Sequence, residues 1–452
     1  MAISEQRQQT LAPMGAAVLE DVVQQVLAEA RRAGADSAEA HAGMGDGLQV
    51  TARLGEVETV ERTRDKELAV TVYLGQRSGS ASTSDFRPEA IRETVRSACT
   101  IARYTAADPF SGLADAHRLA RVIPDLDLYH PWDLDAERAI QLAIECEDAA
   151  RGHDPRITNS EGASVSTHQG VDVYGNSLGF MGTQRGTRHG LSCAVIAADG
   201  EGMQRDYWYA SARDPRGLAE AAQVGRTAAE RALRRLGARK IQTQQADVIF
   251  EAPVAASLLS HFVGATRGTS LYRRASFLLD SLGQQIFSKN VQIHEDPHLP
   301  GRLGSAAYDA EGVATARRDI VCNGRLEGYF LDSYSARKLG LETTANAGGV
   351  HNLTLTSTGP DLAGLMREMG RGLLVTELIG FGVNTVTGDY SRGAAGFWIE
   401  NGEIVHPVEE ITIAGRLPDM FAHLAAVGSD VDLRGSLLTG SIWMPGLMIA
   451  GR

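Results

Sequence analysis

Cysteine is scarce in this sequence, and the positions of the few cysteines argue against two kinds of structure. The 452 residues include four cysteines, which lie far apart and form no C-x-x-C pair: Cys99, Cys146, Cys193 and Cys322. A disulfide framework or a thiolate zinc site needs closely spaced or paired cysteines. We therefore predict buried free thiols.

Long apolar runs are also missing. No stretch of about 18 apolar residues is present, so the sequence offers no membrane-spanning helix. The opening segment MAISEQRQQTLAPMG has neither the basic start nor the apolar centre of an export signal. These absences predict a cytoplasmic protein that does not enter a membrane.

Positive charge is outnumbered. The chain has 44 Lys and Arg against 56 Asp and Glu, a formal net charge of −12. Such a field repels phosphate backbones, and no basic stripe with interleaved aromatic residues opposes it, so we expect no nucleic-acid partner. Arg231, Arg234 and Arg235 do cluster, but near a predicted helix end, where cations suit the helix dipole and solvent.

The patterns that are present predict an α+β fold, because amphipathic helices alternate with antiparallel strand runs. The chain is long enough for two or three domains. The first predicted domain, 1–122, has helices near 17–33 and 87–104 around several strands. The segment 106–133 is rich in proline and aspartate and reads as a linker.

The second and third predicted domains follow this linker. Domain 123–242 begins with the helix LDAERAIQLAIECEDAA and ends with a helix that Asp214 and Pro215 would start and Gly237 would terminate. Domain 243–452 is predicted to be β-rich with a few helices, among them PVAASLLSHFVGAT and DLAGLMREM. Its Asn401-Gly402 pair predicts a two-residue hairpin turn.

One segment satisfies the H-E-x-x-H pattern of zinc peptidases: His294, Glu295 and His298 around Asp296-Pro297. That pattern works on a helix, where the two imidazoles share one face and the glutamate reaches the metal-bound water. Proline inside this turn would cost about 3 kcal/mol. We predict a strand that ends in a loop, with a self-sufficient zinc site kept only as an alternative.

No other catalytic pattern occurs. G-x-S-x-G and the phosphate loop G-x-x-x-x-G-K-[ST] are absent. In GDYSRGAAGF, the glycines are predicted to serve strand bends or close packing. Asp389 and Arg392 of this segment form a local ion pair or contact a peptide terminus, and the ion pair is the favoured interpretation.

Several segments, in order along essentially the whole chain, resemble the TldD/PmbA family. They include GSASTSD, RITNSEG, YRRASFLLDSLG, SYSARKLGL and GDYSRGAAGFW, and the likeness is strongest to the TldE (PmbA) branch. The resemblance implies a zinc peptidase of two different subunits. Such a heterodimer degrades unfolded or short peptides and matures ribosomally made peptides, including a microcin.

The resemblance also implies where zinc would be held. The TldD-like catalytic subunit carries His-Glu-x-x-x-His on a helix and adds a cysteine near its C-terminus. The matching positions here are Ser260, His261 and Ala265, and no cysteine follows Cys322. This chain is therefore expected to hold no catalytic residue and no metal, with zinc in its partner, and His261 is expected to be a hydrogen-bonded core or interface residue.

Three hypotheses follow from these observations. The first is a non-catalytic subunit that works with a TldD-like partner on peptides. The second is a self-sufficient metallopeptidase using His294, Glu295 and His298. The third is a homodimeric peptide-binding protein, in which strand edges of the C-terminal domain would pair with an extended peptide.

Overall fold

The protein is described here by a computed structural model that covers residues 14–200 and 202–451. Residues 1–13 of the opening segment, for which the sequence predicts no export signal, lie outside the described residues. The architecture is α+β, as predicted, with strands that pair mainly in antiparallel fashion.

A six-stranded antiparallel sheet forms the first half of the molecule, in the order β3-β2-β1-β4-β5-β6. Its strands are β1 (Ser37–Arg53), β2 (Glu56–Leu74), β3 (Arg77–Thr83), β4 (Ile157–Asn176), β5 (Met181–Ala198) and β6 (Met203–Ala212). Strands of this length are long enough to carry two separate helix pairs on one face.

Four helices cover that face: α1 (Met14–Arg32), α2 (Pro88–Tyr104), α3 (Ala136–Arg151) and α4 (Ala221–Arg234). Along β1, the even-numbered residues point to the same side because side chains alternate in a strand. Ala38, Ala40 and Ala42 pack in the cluster that includes α1 and α2. Leu48, Val50 and Ala52 pack in the cluster that includes α3 and α4. The same helix, three strands and helix thus occur twice, joined across β1 and β4.

The predicted boundary near residue 122 lies in the connection between α2 and α3. This connection is not solvated on all sides, because Leu119 and Leu126 pack with Tyr174 and Tyr308 in one apolar cluster. It therefore ties the first sheet to the C-terminal half. The division into three domains stays a prediction.

The C-terminal half is built on a ring of hydrogen-bonded strands. Its members are β7 (Gln244–Phe250), β12 (Gly372–Ile379), β13 (Asp389–Glu400), β14 (Glu403–Arg416) and β17 (Ile442–Ala450), with the short β15 (Ala426–Val427) beside β17. Because β14 also pairs with β17, these five strands close on themselves. Closure removes the free strand edges that a peptide could extend.

A smaller, five-stranded sheet and five helices complete this half. The sheet contains β8 (Ile293–Glu295), β9 (Arg318–Cys322), β10 (Arg325–Leu326), β11 (Leu353–Leu355) and β16 (Leu437–Leu438). The helices are α5 (Ala252–Thr266), α6 (Gly268–Tyr272), α7 (Ser333–Leu339), α8 (Leu362–Met369) and α9 (Leu417–Ala422). Helix α5 packs in the large core between the ring and the small sheet.

Local signals predicted most of these boundaries, with one clear error. Asn401 and Gly402 have the positive φ values of a two-residue hairpin turn, as predicted. Asp214 and Pro215, however, begin only a single 3-10 turn, and α4 starts at Ala221. The Asp214 side chain accepts from Arg216 N, and the chain is extended again at Leu218. The capping residues therefore close a turn and not a helix.

The sequence also makes predictions about the burial of the cysteines and about membrane-spanning helices. Cys99, Cys146 and Cys193 are buried free thiols, as predicted, whereas Cys322 is half-buried. Among the helices of residues 14–200 and 202–451, none is both long and apolar enough to cross a membrane.

Candidate functional site

The three positions of the zinc motif on α5 lie in three different environments. The helix buries Ala255, Leu258, Leu259, Phe262 and Ala265 on one face. Ala265 is therefore in the core, with 0% of its surface exposed, and its carbonyl accepts from Ser276 Oγ. Ser260 is exposed to solvent, and His261 is half-buried. The helix does not bring these three side chains to one point.

His261 is packed against aromatic and cationic neighbours. Its ring meets the edge of Tyr390 at a centroid distance of 6.0 Å. Burial lowers the pKa of His261, and the positive charge of Arg392 lowers it further, so the neutral imidazole is favoured. His261 is half-buried, and its Nε2 is buried without a hydrogen-bond partner among residues 14–200 and 202–451, so the expected hydrogen bond is not made at that atom.

The segment His294–His298 is not a helix. His294 and Glu295 end the strand β8, and His298 N donates to Asp296 Oδ1 in the turn that follows. This confirms the prediction of a strand that ends in a loop. The imidazoles consequently do not share a helix face, which the zinc motif requires.

Glu295 is instead held in a buried network. It is 1% exposed and accepts hydrogen bonds from Arg318 Nε (2.9 Å), Asn346 Nδ2 (2.8 Å) and His351 N (2.7 Å). His298 Nε2 lies 3.1 Å from Thr315 Oγ1. Glu295 and His298 thus use their polar atoms within the protein, and His294 lies on a strand and not on a helix shared with His298, so the segment does not fit zinc.

Asp389 and Arg392 lie apart, which corrects the interpretation as a local ion pair. Both belong to β13, where residues three apart point to opposite faces. Asp389 is exposed, accepts from Thr387 Oγ1 and lies 4.0 Å from Arg416 Nε. Arg392 points to the side of His261 and Tyr390 and lines a cleft.

This arginine cleft has a volume of about 290 Å³ and lies beside the N-terminal half of α5. Its lining consists of Arg205, Asp206, Tyr207, Trp208, Tyr209, Arg231, Arg235, Pro253, Val254, Ser257, Thr376, Glu377, Leu378, Arg392 and Arg434. Arg231 and Arg235 are buried here, although the sequence placed them in solvent at a helix end. Asp206 pairs with both, because β6 packs against α4.

A cavity of about 750 Å³ lies between the first sheet and loops of the C-terminal half. Glu39 is fixed in its wall by the hydroxyls of Tyr73 (2.8 Å) and Tyr174 (2.7 Å). Burial raises the pKa of Glu311, across the cavity, to about 7. No local motif marks this site in the sequence, because its residues lie far apart along the chain.

A histidine between two carboxylates stands at the wall of this cavity. His41 Nδ1 lies 3.4 Å from Glu67 Oε1, and His41 Nε2 lies 3.4 Å from Asp172 Oδ1. In the described ranges, these three side chains form the one group close enough to share a metal ion. The hydrogen bond to Asp172 raises the pKa of His41, against the effect of burial. Two neighbouring acids favour the protonated imidazole, and a metal would have to displace that proton.

Comparison with known proteins assigns the chain to a family. Three domain descriptions match in sequence order: PmbA/TldA metallopeptidase domain 1 over residues 43–102, the central domain over 129–236 and the C-terminal domain over 243–451. The metalloprotease PmbA of Escherichia coli O157:H7 is 48% identical over 96% of each chain. A PmbA homologue of Haemophilus influenzae is 47% identical over 93% of this chain and 94% of its own.

Solved structures agree with this assignment. A candidate modulator of DNA gyrase from Bacteroides thetaiotaomicron superposes with a TM-score of 0.91 at 30% identity, covering 96% of this chain and 99% of its own. TldE from Thermococcus kodakarensis shares the fold, with a TM-score of 0.80 at 19% identity and coverage of 96% and 100%. The order of the three matched domains and the identity over nearly the whole length lead to one conclusion: this chain belongs to the PmbA/TldD family of metallopeptidases.

Proposed function

We propose that this chain is a non-catalytic subunit of the PmbA/TldE type, which works with a TldD-like zinc subunit on unfolded or short peptides. The observation that carries the proposal is the construction of α5. Ala265 is packed in the core, His261 contacts Tyr390, and Ser260 is exposed. A water-activating zinc needs about three converging protein ligands. The residues of α5 do not fit that requirement, and zinc is assigned to the partner.

The supporting role that we assign to the chain is to hold peptide for the partner's site. Arg392 faces a cleft beside α5 and is the stronger peptide-contact candidate, and Asp389 is an exposed one. The strand ring is closed, so pairing with an extended peptide would use the outer strands of the other sheets, β3, β6, β10 or β16. The physiological reactions in this proposal are peptide degradation and maturation of ribosomally made peptides in the cytoplasm. Without its partner, the chain is proposed to form a homodimer.

The proposal is tested by purifying the chain alone and together with a TldD-like subunit. Zinc per chain is measured by mass spectrometry of the metal, and cleavage is followed with an unstructured peptide. We expect no stoichiometric zinc and no cleavage for the chain alone, and a higher rate for the pair than for the TldD-like subunit alone.

A matched control shows which of the two chains carries out the cleavage. A TldD-like subunit whose motif glutamate is replaced by glutamine should form the same complex without cleavage. One zinc per isolated chain, with turnover that a chelator abolishes and that no contaminating peptidase explains, would refute the non-catalytic role.

A further inference from the structure

The arginine cleft contains one positive charge that no described residue neutralises. Five arginines in and beside the cleft pair with five carboxylates. These are Arg205, Arg231, Arg234, Arg235 and Arg434 with Glu161, Asp206, Glu251, Glu377 and Asp432. The paired groups are neutral as a set, so Arg392 adds one surplus charge to the lining.

Arg392 has no side-chain hydrogen-bond or ion-pair partner among residues 14–200 and 202–451. It lies in the middle of the ring, on β13 between β12 and β14. Its Nε is buried without a hydrogen bond, and no acidic group of the described residues pairs with its guanidinium. Taking a charged group out of water is costly unless it is paired, so a partly buried free arginine is suited to an anion from outside the chain.

A second polar group in the same cleft also lacks a partner. Thr376 is 5% exposed, and its Oγ1 is buried without a hydrogen bond. It lies in β12 at a bulge, where the pairing with β13 slips between Val375 and Glu377. Thr376 is one of the residues that line the cleft. Two side chains of the lining, Thr376 and Arg392, thus each have a buried polar atom without a hydrogen-bond partner among the described residues.

We propose that this cleft binds a carboxylate group of a peptide, held by Arg392 with Thr376 as a second donor. The inference rests on the proposed peptide-binding function. A guanidinium fork matches the two oxygens of a carboxylate, and one surplus charge suits a monoanion better than a phosphate dianion. A volume of about 290 Å³ has room for a peptide end and not for a folded domain.

The site is tested by fluorescence anisotropy on the full chain with an unstructured peptide labelled at its N-terminus. The peptide is used with a free C-terminal carboxylate, as the C-terminal amide, and as the amide with glutamate as its last residue. We expect the free acid to bind about tenfold more tightly than the plain amide, since charge-assisted hydrogen bonds to the carboxylate are lost in the amide. Equal binding of the free acid and the glutamate amide identifies any carboxylate as the ligand, and preference for the free acid alone identifies the peptide terminus.

Variants assign the preference to its residues. Arg392→Met should reduce the ratio between free acid and amide to within about twofold, Arg392→Lys should give an intermediate ratio, and Thr376→Val should weaken free-acid binding about threefold. Arg416→Met is the matched control, because Arg416 is an exposed arginine of β14 outside the cleft lining. Its ratio should equal that of the wild type. Arg392→Met should not lower the melting temperature, because it breaks no ion pair.

Three results would overturn the site: no measurable binding of the free acid, equal binding of free acid and plain amide, or a preference that survives Arg392→Met. These outcomes are separate from a failure of the proposed function. A chain that activates a TldD-like subunit without preferring the free acid keeps the subunit role and loses the carboxylate site. A chain that prefers the free acid but activates no partner keeps the site and loses the subunit role.

Discussion

Two regions of this molecule each hold half of a zinc motif. Helix α5 has the helical geometry, but the motif positions carry Ser260, His261 and Ala265. Strand β8 and the turn after it have the right residue types, His294, Glu295 and His298, but not the helix. Residue type and backbone geometry are separate requirements, and neither region meets both.

The two regions also use their polar groups differently. In the β8 region, Glu295 accepts hydrogen bonds from three donors, which stabilise its buried negative charge. In the α5 region, His261 Nε2 and Tyr390 Oη are buried without partners. The first region therefore depends on its polar side chain for stability, whereas the second tolerates polar atoms that contribute little. Substitutions should separate these two cases.

The largest effect is expected from Glu295→Ala. This change leaves the Arg318 guanidinium without its ion-pair partner in a buried network, which typically costs about 3–5 kcal/mol of unfolding free energy. Urea unfolding followed by circular dichroism measures the loss. Glu161→Ala, which breaks an exposed ion pair with Arg205, is the control and should cost less than about 1 kcal/mol. Equal losses in both variants would contradict a structural role for Glu295.

If Glu295→Ala does not fold, Glu295→Gln tests the same point with a smaller expected loss of unfolding free energy. Glutamine retains an acceptor oxygen but removes the charge, so it should fall between the wild type and the alanine variant. A glutamine variant as stable as the wild type would show that the charge is not needed.

The next largest effect concerns rebuilding the motif on α5. Ala265→His forces an imidazole into a filled core, and overpacking typically costs about 1–3 kcal/mol. Ser260→His adds the same side chain at an exposed position of the same helix and should change stability by less than about 0.5 kcal/mol. Thermal unfolding of the two single variants compares them directly. An Ala265→His variant as stable as Ser260→His would show that the core can admit a ligand there.

The triple variant Ser260→His, His261→Glu and Ala265→His should accordingly give little peptidase activity. It would lack a thiolate near the C-terminus and the surrounding hydrogen bonds that orient metal ligands, whose loss alone costs about 10- to 100-fold. Zinc content and cleavage by the folded fraction are the measurements. One zinc per chain with cleavage would mean that ligand identity alone limits this helix.

A smaller effect is expected from His261→Phe. Burial lowers the pKa of His261 in the folded chain below its ordinary value of 6.5. At a pH between the lowered pKa of the folded chain and 6.5, the unfolded chain binds the proton and the folded chain does not. The free energy of unfolding that is present at pH 7 is therefore lost as the pH falls below 6.5. The phenylalanine variant should lose less stability than the wild type between pH 7 and pH 5. At pH 7 it should lie within about 1 kcal/mol of the wild type, since Nε2 makes no hydrogen bond.

His294 sharpens this test because burial lowers its pKa in the same direction. His294→Gln should also flatten the loss of stability on acidification. If the unfolding free energy of both single variants depends on pH as steeply as that of the wild type, neither imidazole is the titrating group. The two regions would then not differ in stability through the charge of these histidines.

Local chemistry explains which features could be read from the sequence. Pro297 inside the H-E-x-x-H pattern excluded the helix, and Asn401-Gly402 fixed a hairpin turn, because each effect acts within one turn of backbone. The helix start predicted at Asp214 is wrong for the same reason. The Asp214 side chain does cap a turn, but that turn does not continue as a helix. Capping residues report a turn and do not report its length.

Long-range contacts explain what the sequence did not reveal. Arg231 and Arg235 were predicted to be solvated, but they are buried because Asp206, Glu251 and Glu377 reach them from other elements. Glu39 and Glu311 line the same cavity although 272 positions separate their numbers in the chain. Such sites depend on the packing of the first sheet against the C-terminal half, and no periodic pattern encodes that packing.

The smallest effect on function is expected from the double variant His294→Ala and His298→Ala. Both imidazoles lie in a strand and turn, and His298 Nε2 contacts Thr315 Oγ1. Losing that contact should cost about 0.5–1.5 kcal/mol. The zinc content of the chain and the activity of its complex with a TldD-like subunit should not change. Thr315→Val is the control, because it removes the contact with His298 Nε2, together with the hydrogen bond from Thr315 Oγ1 to Ala306 O, and keeps both imidazoles. Loss of zinc together with loss of activity in the histidine variant, but not in Thr315→Val, would promote the β8 region to a metal site and reverse the comparison of the two regions.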